Sequence, residues 1–353
     1  MEGLQKWLSS RLEGGENLVI SEVSKPSSGF SAQTWLIDLA DATSGEHQRR
    51  VVARVETADP AVYPRQSSDH PDNPAGDVEV ALQYEVMKSL HKAGGIPLAG
   101  LIGYEADPTL LGQPFFVMDF IGGEVPKESP PYTSEGFFTE LDPAGRTKML
   151  KNGLQVVADV HAVPWREVGL EWLIAPGRTP SIDTQVDIWK SFGVEELRGR
   201  MHPSLETAWK LLAERVPKAS PPALSWGDAR PGNMIWRGGE VAAITDFEAA
   251  AIAPPELDLG WWLLFDRTMH EAVGISERLP GDLSRDEQCE YYAKITGRDV
   301  SQIRWYETFA AARYCVIVVR VMNRAVARGL MPEDQRVWLE NPASEALDQI
   351  LAS

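Results

Sequence analysis

Hydrophobic and polar positions alternate in short stretches of the first 125 residues, while longer stretches with a helical period fill the remainder. The two-residue period predicts β-strands. Five segments carry this strand pattern: 17–23, 34–40, 49–56, 98–107 and 112–123. Residues 77–95 have apolar positions every three or four residues up to a double glycine, which predicts a helix. The proline-rich stretch 57–76 has no period and is expected to be an insertion or loop.

The helical period dominates from residue 142 onward, apart from one predicted strand pair in 233–247 that turns at Gly238 and Gly239. Seven segments are predicted helices: 142–163, 181–196, 204–216, 256–273, 284–295, 300–328 and 333–351. The segment 300–328 is apolar on most faces but is interrupted by arginines, which indicates a core helix. We therefore expect an α+β chain of two lobes, a small β-rich lobe over 1–121 and a larger helical lobe over 122–353, with a ligand cleft between them.

The composition places the chain among globular proteins, since 43% of its 353 residues are hydrophobic and 24% are charged. Its net charge of −17 is expected to repel nucleic acid and anionic membranes and to attract a cationic small molecule. The beginning of the chain lacks the apolar centre of a signal peptide, and no apolar run is long enough for a membrane span, so we expect a cytoplasmic location. The sequence does not indicate an oligomeric state.

Three oxygen-bearing side chains stand close together between apolar flanks. The stretch "LSWGDARPGNMIW" (224–236) holds Asp228 and Asn233, and Asp246 follows in "AAITDFEAAAI". Phosphoryl transfer needs a carboxylate beside the attacking hydroxyl and oxygen ligands for Mg²⁺ next to the nucleotide phosphates. We therefore predict Asp228 as the catalytic base and Asn233 with Asp246 as metal ligands. The alternative is that all three merely form turns and loops.

Arg230 lies two residues beyond Asp228. A guanidinium at this place would put a fixed positive charge near the transferred phosphoryl group, where electrostatic stabilisation supports catalysis. Arg230 is therefore the second predicted catalytic residue.

These motifs resemble the aminoglycoside phosphotransferase family, whose pattern is His-Gly-Asp, four residues, then Asn, with a later Asp-Phe-Gly or Asp-Phe-Glu. The chain has "WGDARPGN" and "DFE", with Trp226 in place of the family's His. It looks most like the branch that includes the kinase-like domains fused to acyl-CoA dehydrogenases. The resemblance implies a protein-kinase-like fold, ATP and Mg²⁺ as cofactors, and transfer of phosphate to a hydroxyl of a small molecule, either aminoglycoside-like and cationic or an amino alcohol, a sugar or a hydroxyacyl-CoA. A nucleotide-binding regulatory module without catalysis is the alternative from another class.

The small lobe carries the expected nucleotide contacts. The turn between the first two strands would cover the phosphates with backbone N–H groups, at Ser27, Ser28, Gly29 and Phe30. On the third strand, Arg54 would hold the phosphates while pairing with Glu85 on the following helix, with Glu79 as the rival partner. The resemblance makes the end of the last strand the hinge for adenine, at Met118, Asp119 and Ile121.

The acceptor pocket is expected among the helices of the second lobe. Acidic and aromatic side chains there would suit a cationic or amino-alcohol acceptor. The candidates are Glu248, Asp258, Trp262 and Asp266. Asp258 has an alternative role, since the resemblance also implies that it braces or caps a helix.

Overall fold

The computed structural model describes residues 2–26, 32–67, 69–271 and 277–353. Its small lobe is built on an antiparallel sheet of five strands in the order β1-β2-β3-β5-β4. The strands are β1 (Leu18–Ser24), β2 (Gln33–Asp41), β3 (His47–Val55), β4 (Leu101–Glu105) and β5 (Phe115–Asp119). The sheet and the helical lobe that follows confirm the predicted two-lobed α+β fold. The boundary after residue 121 stays a prediction.

Successive side chains of β3 point to the two faces of the sheet, one packed against the first helix and the other turned towards the helical lobe. Val51, Ala53 and Val55 are buried on the face that packs against the first helix, α1 (Glu2–Ser9). Val52 and Arg54 therefore point to the opposite face, towards the helical lobe, because successive side chains of a strand point to opposite sides. An apolar strand thus delivers one arginine to the cleft.

The helix that follows the sheet's third strand, α2 (Glu79–Ala93), begins only after a long irregular segment. It ends at Gly94, which has a φ of +74° and donates its N–H to the carbonyl of Leu90. Glu79 and Gln83 are each only 2% exposed, one helical turn apart on the inner face of α2. The rotation of α2 about its own axis therefore decides which of its polar residues reach the cleft.

The helical lobe is built around one long helix, α9 (Ile303–Ala327), most of whose residues are buried. The other helices are α3 (Phe137–Glu140), α4 (Pro143–Ala162), α5 (Ile182–Leu197), α6 (Pro203–Glu214), α7 (Glu256–Glu271), α8 (Arg285–Thr296) and α10 (Pro342–Ala352). None of the helices in the described ranges is long and apolar enough to cross a membrane.

Side-chain caps set several helix starts. Asp142 accepts the N–H of Gly145 at the start of α4, and Ser284 with Glu287 forms a capping box at α8. The predicted helix 333–351 was wrong in its first half. Asn341 caps α10 by accepting the N–H groups of Ala343 and Ser344, with Pro342 at the first helical position, so the helix begins there.

Two short strand pairs interrupt the helices. The first joins β6 (Ala223–Ser225) to β9 (Ala251–Ala253), and the second joins β7 (Met234–Arg237) to β8 (Glu240–Ile244) through the turn at Gly238 and Gly239. The loop that carries Asp228 begins where β6 ends and finishes where β7 begins. Asp246 follows the end of β8.

Candidate active site

A tight turn follows β6 and carries Asp228. Gly227 in this turn has a φ of +85°, and a Cβ there would lie 2.2 Å from the carbonyl oxygen of Ala249. Only glycine fits both conditions. The chain then forms a 3-10 turn over Pro231–Asn233 and enters β7, which brings Asn233 back beside Asp228.

Asp258, in the first turn of α7, braces this turn from below. Its carboxylate accepts hydrogen bonds from the N–H groups of Trp226 (2.7 Å) and Gly227 (2.8 Å) and from Ser225 Oγ (2.9 Å). His161 Nε2 lies 2.9 Å from Asp258 Oδ2. Burial alone would raise the pKa of Asp258, but these hydrogen bonds outweigh it and lower that pKa. Asp258 is fully buried, so the structure gives it the brace role and not a contact with the acceptor.

The carboxylate of Asp228 is 3% exposed and is held by three donors. Oδ1 accepts from Trp261 Nε1 at 2.7 Å and from Arg230 Nε at 2.9 Å, and Oδ2 accepts from the hydroxyl of Tyr63 at 3.2 Å. Burial and the nearby charge of Asp246 raise the pKa of Asp228 to about 6, although the hydrogen bonds from Trp261 and Tyr63 act in the opposite direction. A carboxylate with such a pKa is still ionised at neutral pH and is a stronger base than an exposed one.

Arg230 is shared between two carboxylates. It donates to Asp228 through Nε and pairs with Glu128 through Nη1, and its guanidinium lies 4.9 Å from the centre of the Phe265 ring. The aromatic face and the two acids fix the arginine beside the base.

Trp226, at the position where the sequence departs from the family pattern, is fully buried. Its indole Nε1 donates to the backbone carbonyls of Thr245 and Asp246, each at 3.0 Å. The tryptophan therefore ties the Asp228 turn to the segment that carries Asp246. A single N–H group, that of the Trp226 indole, makes both hydrogen bonds.

The two predicted metal ligands are Asn233 and Asp246. Asn233 donates its Nδ2 to the carbonyl of Asp228 at 3.0 Å, which commits its NH₂ group and leaves its carbonyl oxygen as the potential ligand atom. Asp246 has a φ of +68°, a left-handed conformation that is rare outside glycine. Such a conformation is costly and is often found at functional sites.

Arg54 and Asp246 face each other across the cleft. Arg54 Nη2 lies 3.6 Å from Asp246 Oδ1, and within the described part of the chain neither atom has a hydrogen-bond partner although both are buried. The amide nitrogen of Gln83, on the inner face of α2, is also buried and has no partner among the described residues. Buried polar atoms are rarely left unsatisfied in a folded protein. An anion beside Arg54 and a cation beside Asp246 would satisfy them.

The predicted pair of Arg54 with Glu85 was wrong. Glu85 pairs with Lys88, one turn further along α2, and Arg54 pairs with Asp246 while it donates to Thr34 Oγ1 at 2.8 Å. The phase of α2 turns Glu79 and Gln83 inward and leaves Glu85 outside the residues that line the cleft. Glu79 pairs instead with Arg65, at 3.6 Å.

A cavity of about 300 Å³ opens between the sheet and the hairpin that precedes Asp246. Its wall is mostly apolar, with Arg54 and Asp246 at one side. The apolar lining includes Leu36, Val52, Ala99, Phe116, Met118, Ile121 and Ile235.

All three predicted hinge residues, Met118, Asp119 and Ile121, line this cavity. Asp119 already has partners inside the small lobe, because its N–H donates to the carbonyl of Gly100 and its side chain pairs with Arg49. The phosphate-covering turn at Ser27, Ser28, Gly29 and Phe30 lies outside the described residues.

The other acceptor candidates lie in different surroundings. Trp262 is fully buried and donates to Gln288 Oε1 at 2.6 Å, so it is a core residue and presents no surface to an acceptor. Asp266 is 3% exposed and pairs with Arg278 in a buried cluster with His270 and Asp282.

Glu248 alone of these candidates stands beside Asp246. Burial and the charges of Asp246 and Glu79 raise the pKa of Glu248 well above its usual range. Among the described residues, its Oε2 has no hydrogen-bond partner although it is buried. Glu248 therefore lies near Asp246, but it is not among the residues that line the cavity of about 300 Å³.

Two residues at the site were not predicted from the sequence. Tyr63 comes from the irregular segment before α2 and donates to Asp228. Arg313, on α9, donates to the carbonyl of Gly227 at 2.9 Å and lies between the rings of Trp189 and Trp261. Arg313 carried a signal, since a charge within an apolar helix needs a partner. Tyr63 carried none, because its segment has no periodicity.

Comparison with known proteins places this geometry in context. Residues 22–290 match the model of the phosphotransferase enzyme family. Among curated proteins, acyl-CoA dehydrogenase family member 11 from Gallus gallus is 27% identical over 190 residues, covering 52% of this chain and 22% of that protein. The chain spans less than a third of the length of the curated relatives it matches.

Two solved structures share the fold. A candidate aminoglycoside phosphotransferase from Ralstonia eutropha JMP134 is 20% identical with a TM-score of 0.71, covering 99% of this chain and 97% of that chain. The streptomycin–ATP complex of an APH(2'')-IIa enzyme is 14% identical with a TM-score of 0.58, covering 99% and 95%.

Proposed function

Because the chain belongs to the phosphotransferase enzyme family, we propose that it transfers the γ-phosphoryl group of ATP, with Mg²⁺, to a hydroxyl of a small molecule. The observation that carries this proposal is the arrangement of Asp228, Arg54 and Asp246. A buried carboxylate with a pKa of about 6 lies near an arginine and an aspartate whose facing atoms have no hydrogen-bond partner in the described ranges of the chain. Phosphoryl transfer needs a base, a positively charged group that binds phosphate, and ligands for the metal ion.

The nucleotide side of the proposal rests on the 300 Å³ cavity. Its apolar wall at Val52 and Met118 suits the faces of a purine, and Arg54 stands where it can bind the phosphates. Asn233 and Asp246 offer oxygen atoms, which Mg²⁺ prefers as ligands. When bound, the metal neutralises phosphate charge as the phosphoryl group is transferred.

On the acceptor side, Asp228 orients the hydroxyl and takes up its proton. Trp261 and Arg230 hold Oδ1, so the carboxylate keeps one orientation while Oδ2 meets the acceptor. Arg230 stabilises the negative charge that develops near the base. The oxygen of the acceptor forms a bond to the γ-phosphorus, and ADP leaves.

For the acceptor itself we propose a hydroxyl-bearing small molecule, in the first place a cationic one that resembles an aminoglycoside. The net charge of −17 supports a cationic molecule. The sequence likeness to acyl-CoA dehydrogenase family members supports testing hydroxyacyl-CoA esters in parallel.

The test is ADP release by the purified protein with Mg-ATP and a panel of aminoglycosides, amino alcohols, sugars and hydroxyacyl-CoA esters. One class should stimulate ADP release, and Asp228→Asn should lower the stimulated rate by about a thousandfold or more, since a general base and the positioned hydroxyl are lost together. Asp334→Asn, which changes an exposed loop aspartate, is the matched control and should keep the full rate.

Two outcomes would contradict the proposal. Equal rates for Asp228→Asn and Asp334→Asn would remove Asp228 as the base. Tight binding of Mg-ATP without stimulation by any class would favour a regulatory nucleotide-binding module.

A further inference from the structure

An irregular segment of the small lobe crosses to the helical lobe beside the proposed base. We name residues 57–67, which follow β3, the crossing segment. Its side chains and backbone contact α5 and α9. The segment therefore closes one side of the cleft between the lobes.

Several polar contacts hold the crossing segment in place. Asp59 pairs with Arg328 and lies 3.5 Å from Arg324 Nη2, and Arg320 Nε donates to the carbonyl of Ala61 at 2.8 Å. Gln185 Nε2 donates to Gln66 Oε1 at 2.8 Å. The guanidinium of Arg328 and other groups hold the pKa of Asp59 far below its usual range, so this acid stays charged and paired over the physiological pH range.

Tyr63 lies in the middle of the crossing segment and points into the helical lobe. Its ring packs edge-on against Trp189 with the centroids 6.1 Å apart, and only 8% of the residue is exposed. Its hydroxyl donates to Oδ2 of Asp228 at 3.2 Å. Because Trp261 and Arg230 already occupy Oδ1, the phenol takes the oxygen that remains for an acceptor.

A second cavity, of about 630 Å³, lies on the outer side of Tyr63. The crossing segment forms one wall with Pro60 and Arg65, and α5 forms another with Ile188 and Glu195. Tyr63 lines this cavity, but Asp228 does not. In this conformation the tyrosine therefore separates the cavity from the base.

We propose that Tyr63 occupies the position of the acceptor hydroxyl on Asp228, and that the crossing segment must withdraw it before an acceptor can bind there. An acceptor in the 630 Å³ cavity reaches Asp228 when the contacts of Asp59 and Ala61 with α9 open. This inference rests on the proposed function, because it takes Asp228 as the base that binds the acceptor.

The test uses water as the acceptor, so it needs no knowledge of the natural one. In this reaction the water oxygen bonds to the γ-phosphorus while the bond to the ADP oxygen breaks, and Asp228 takes the proton from water. The products are ADP and inorganic phosphate. Tyr63→Phe keeps the ring and removes the hydroxyl, so Oδ2 becomes free for water.

ADP release without an added acceptor, at saturating Mg-ATP, should rise about fivefold in Tyr63→Phe, the worth of one neutral hydrogen bond. Tyr306→Phe removes another buried tyrosine hydroxyl, near Glu256 rather than Asp228, and should keep the wild-type rate. Asp59→Asn leaves Tyr63 intact but weakens the pairs with Arg324 and Arg328, so it should also raise the rate. Asp187→Asn, which breaks an exposed pair with Arg178, is its control.

The outcomes separate the two proposals. If Tyr63→Phe and Asp59→Asn release ADP no faster than their controls, the proposal that Tyr63 blocks the acceptor position on Asp228 is wrong. This includes the case in which all the rates lie at the limit of detection. Phosphate found on Tyr63 by mass spectrometry, and absent in Asp228→Asn, would also overturn it, since the tyrosine would then be an acceptor. If Asp228→Asn leaves the rate of Tyr63→Phe unchanged, the assignment of Asp228 as the base fails instead.

Discussion

The guanidinium of Arg54 is the residue-scale feature on which the proposed phosphate contact depends. Arg54 stands on β3 with its side chain towards the cleft. Its Nη2 has no hydrogen-bond partner among the residues that the structure describes, while Asp246 lies 3.6 Å away. The cost of leaving a buried charged donor unsatisfied is recovered when phosphate binds.

Arg54→Met should therefore weaken binding of Mg-ATP by about tenfold to a hundredfold, because a charge-assisted hydrogen bond to phosphate contributes about 1.5–3 kcal/mol. The dissociation constant is measured by isothermal titration calorimetry. Arg11→Met is the matched control, since Arg11 is an exposed arginine of the same lobe that stacks on Trp7 at the far face of the sheet. Equal affinities for both variants would place the phosphates elsewhere.

At this scale the sequence predicted some neighbours and missed others. The grouping of Asp228 with Asn233 followed from their short spacing in a turn rich in glycine and proline. The partner of Arg54 did not follow, because it is Asp246, from a distant part of the chain. Among Glu79, Gln83 and Glu85, which lie within two turns of one helix, only the rotation of that helix decides which face inward. The structure turns Gln83 inward and Glu85 towards Lys88.

At the scale of secondary structure, the end of α7 is joined to the segment before α8 by buried charges. His270 Nε2 lies 2.8 Å from Asp282 Oδ2, and Arg278 pairs with both Asp266 and Asp282. Burial alone would lower the pKa of His270, but the hydrogen bond with Asp282 and the charge of Asp266 outweigh it and raise that pKa.

A raised pKa in the folded state means that protonated His270 stabilises the fold. This contribution is complete below the ordinary histidine pKa of about 6.5 and is lost as the pH rises through the higher pKa of the folded state. The free energy of unfolding of the wild type should therefore exceed that of His270→Gln by more at pH 5.5 than at pH 8.5. Urea titrations at both pH values measure it, with His91→Gln as the exposed control. If the difference in the free energy of unfolding between the wild type and His270→Gln grew with pH, the pKa of His270 in the folded state would be lowered and not raised.

Helix and strand assignments from the periodic pattern were close, and the errors fell where local chemistry overrides the pattern. The helix predicted from residue 333 begins at Pro342 because the Asn341 side chain captures two N–H groups there. The stretch predicted as a loop after β3 has no regular structure over residues 57–67, yet it contacts the helical lobe. Such contacts join residues about 260 positions apart, and no local pattern carries them.

At the scale of the whole molecule, the cavity of about 300 Å³ is bounded by both lobes. Arg54 and Val52 come from the sheet of the small lobe, and Asp246 and Ile235 come from the helical lobe. A ligand that contacts both walls binds the folded chain and not the unfolded one. Folding stability then rises with the logarithm of ligand concentration above the dissociation constant.

Mg-ATP at a hundred times its dissociation constant should stabilise the protein by about 2.7 kcal/mol, which raises the melting temperature by roughly 4 °C. ATP with EDTA should give a smaller rise, because the cation that Asn233 and Asp246 are proposed to bind would then be missing. Asp246→Asn should lose the increment that Mg²⁺ adds and keep the rise produced by ATP alone, since the apolar wall is intact. If Mg²⁺ added the same increment to Asp246→Asn as to the wild type, the metal would bind without Asp246, and the left-handed backbone of that residue would need another explanation.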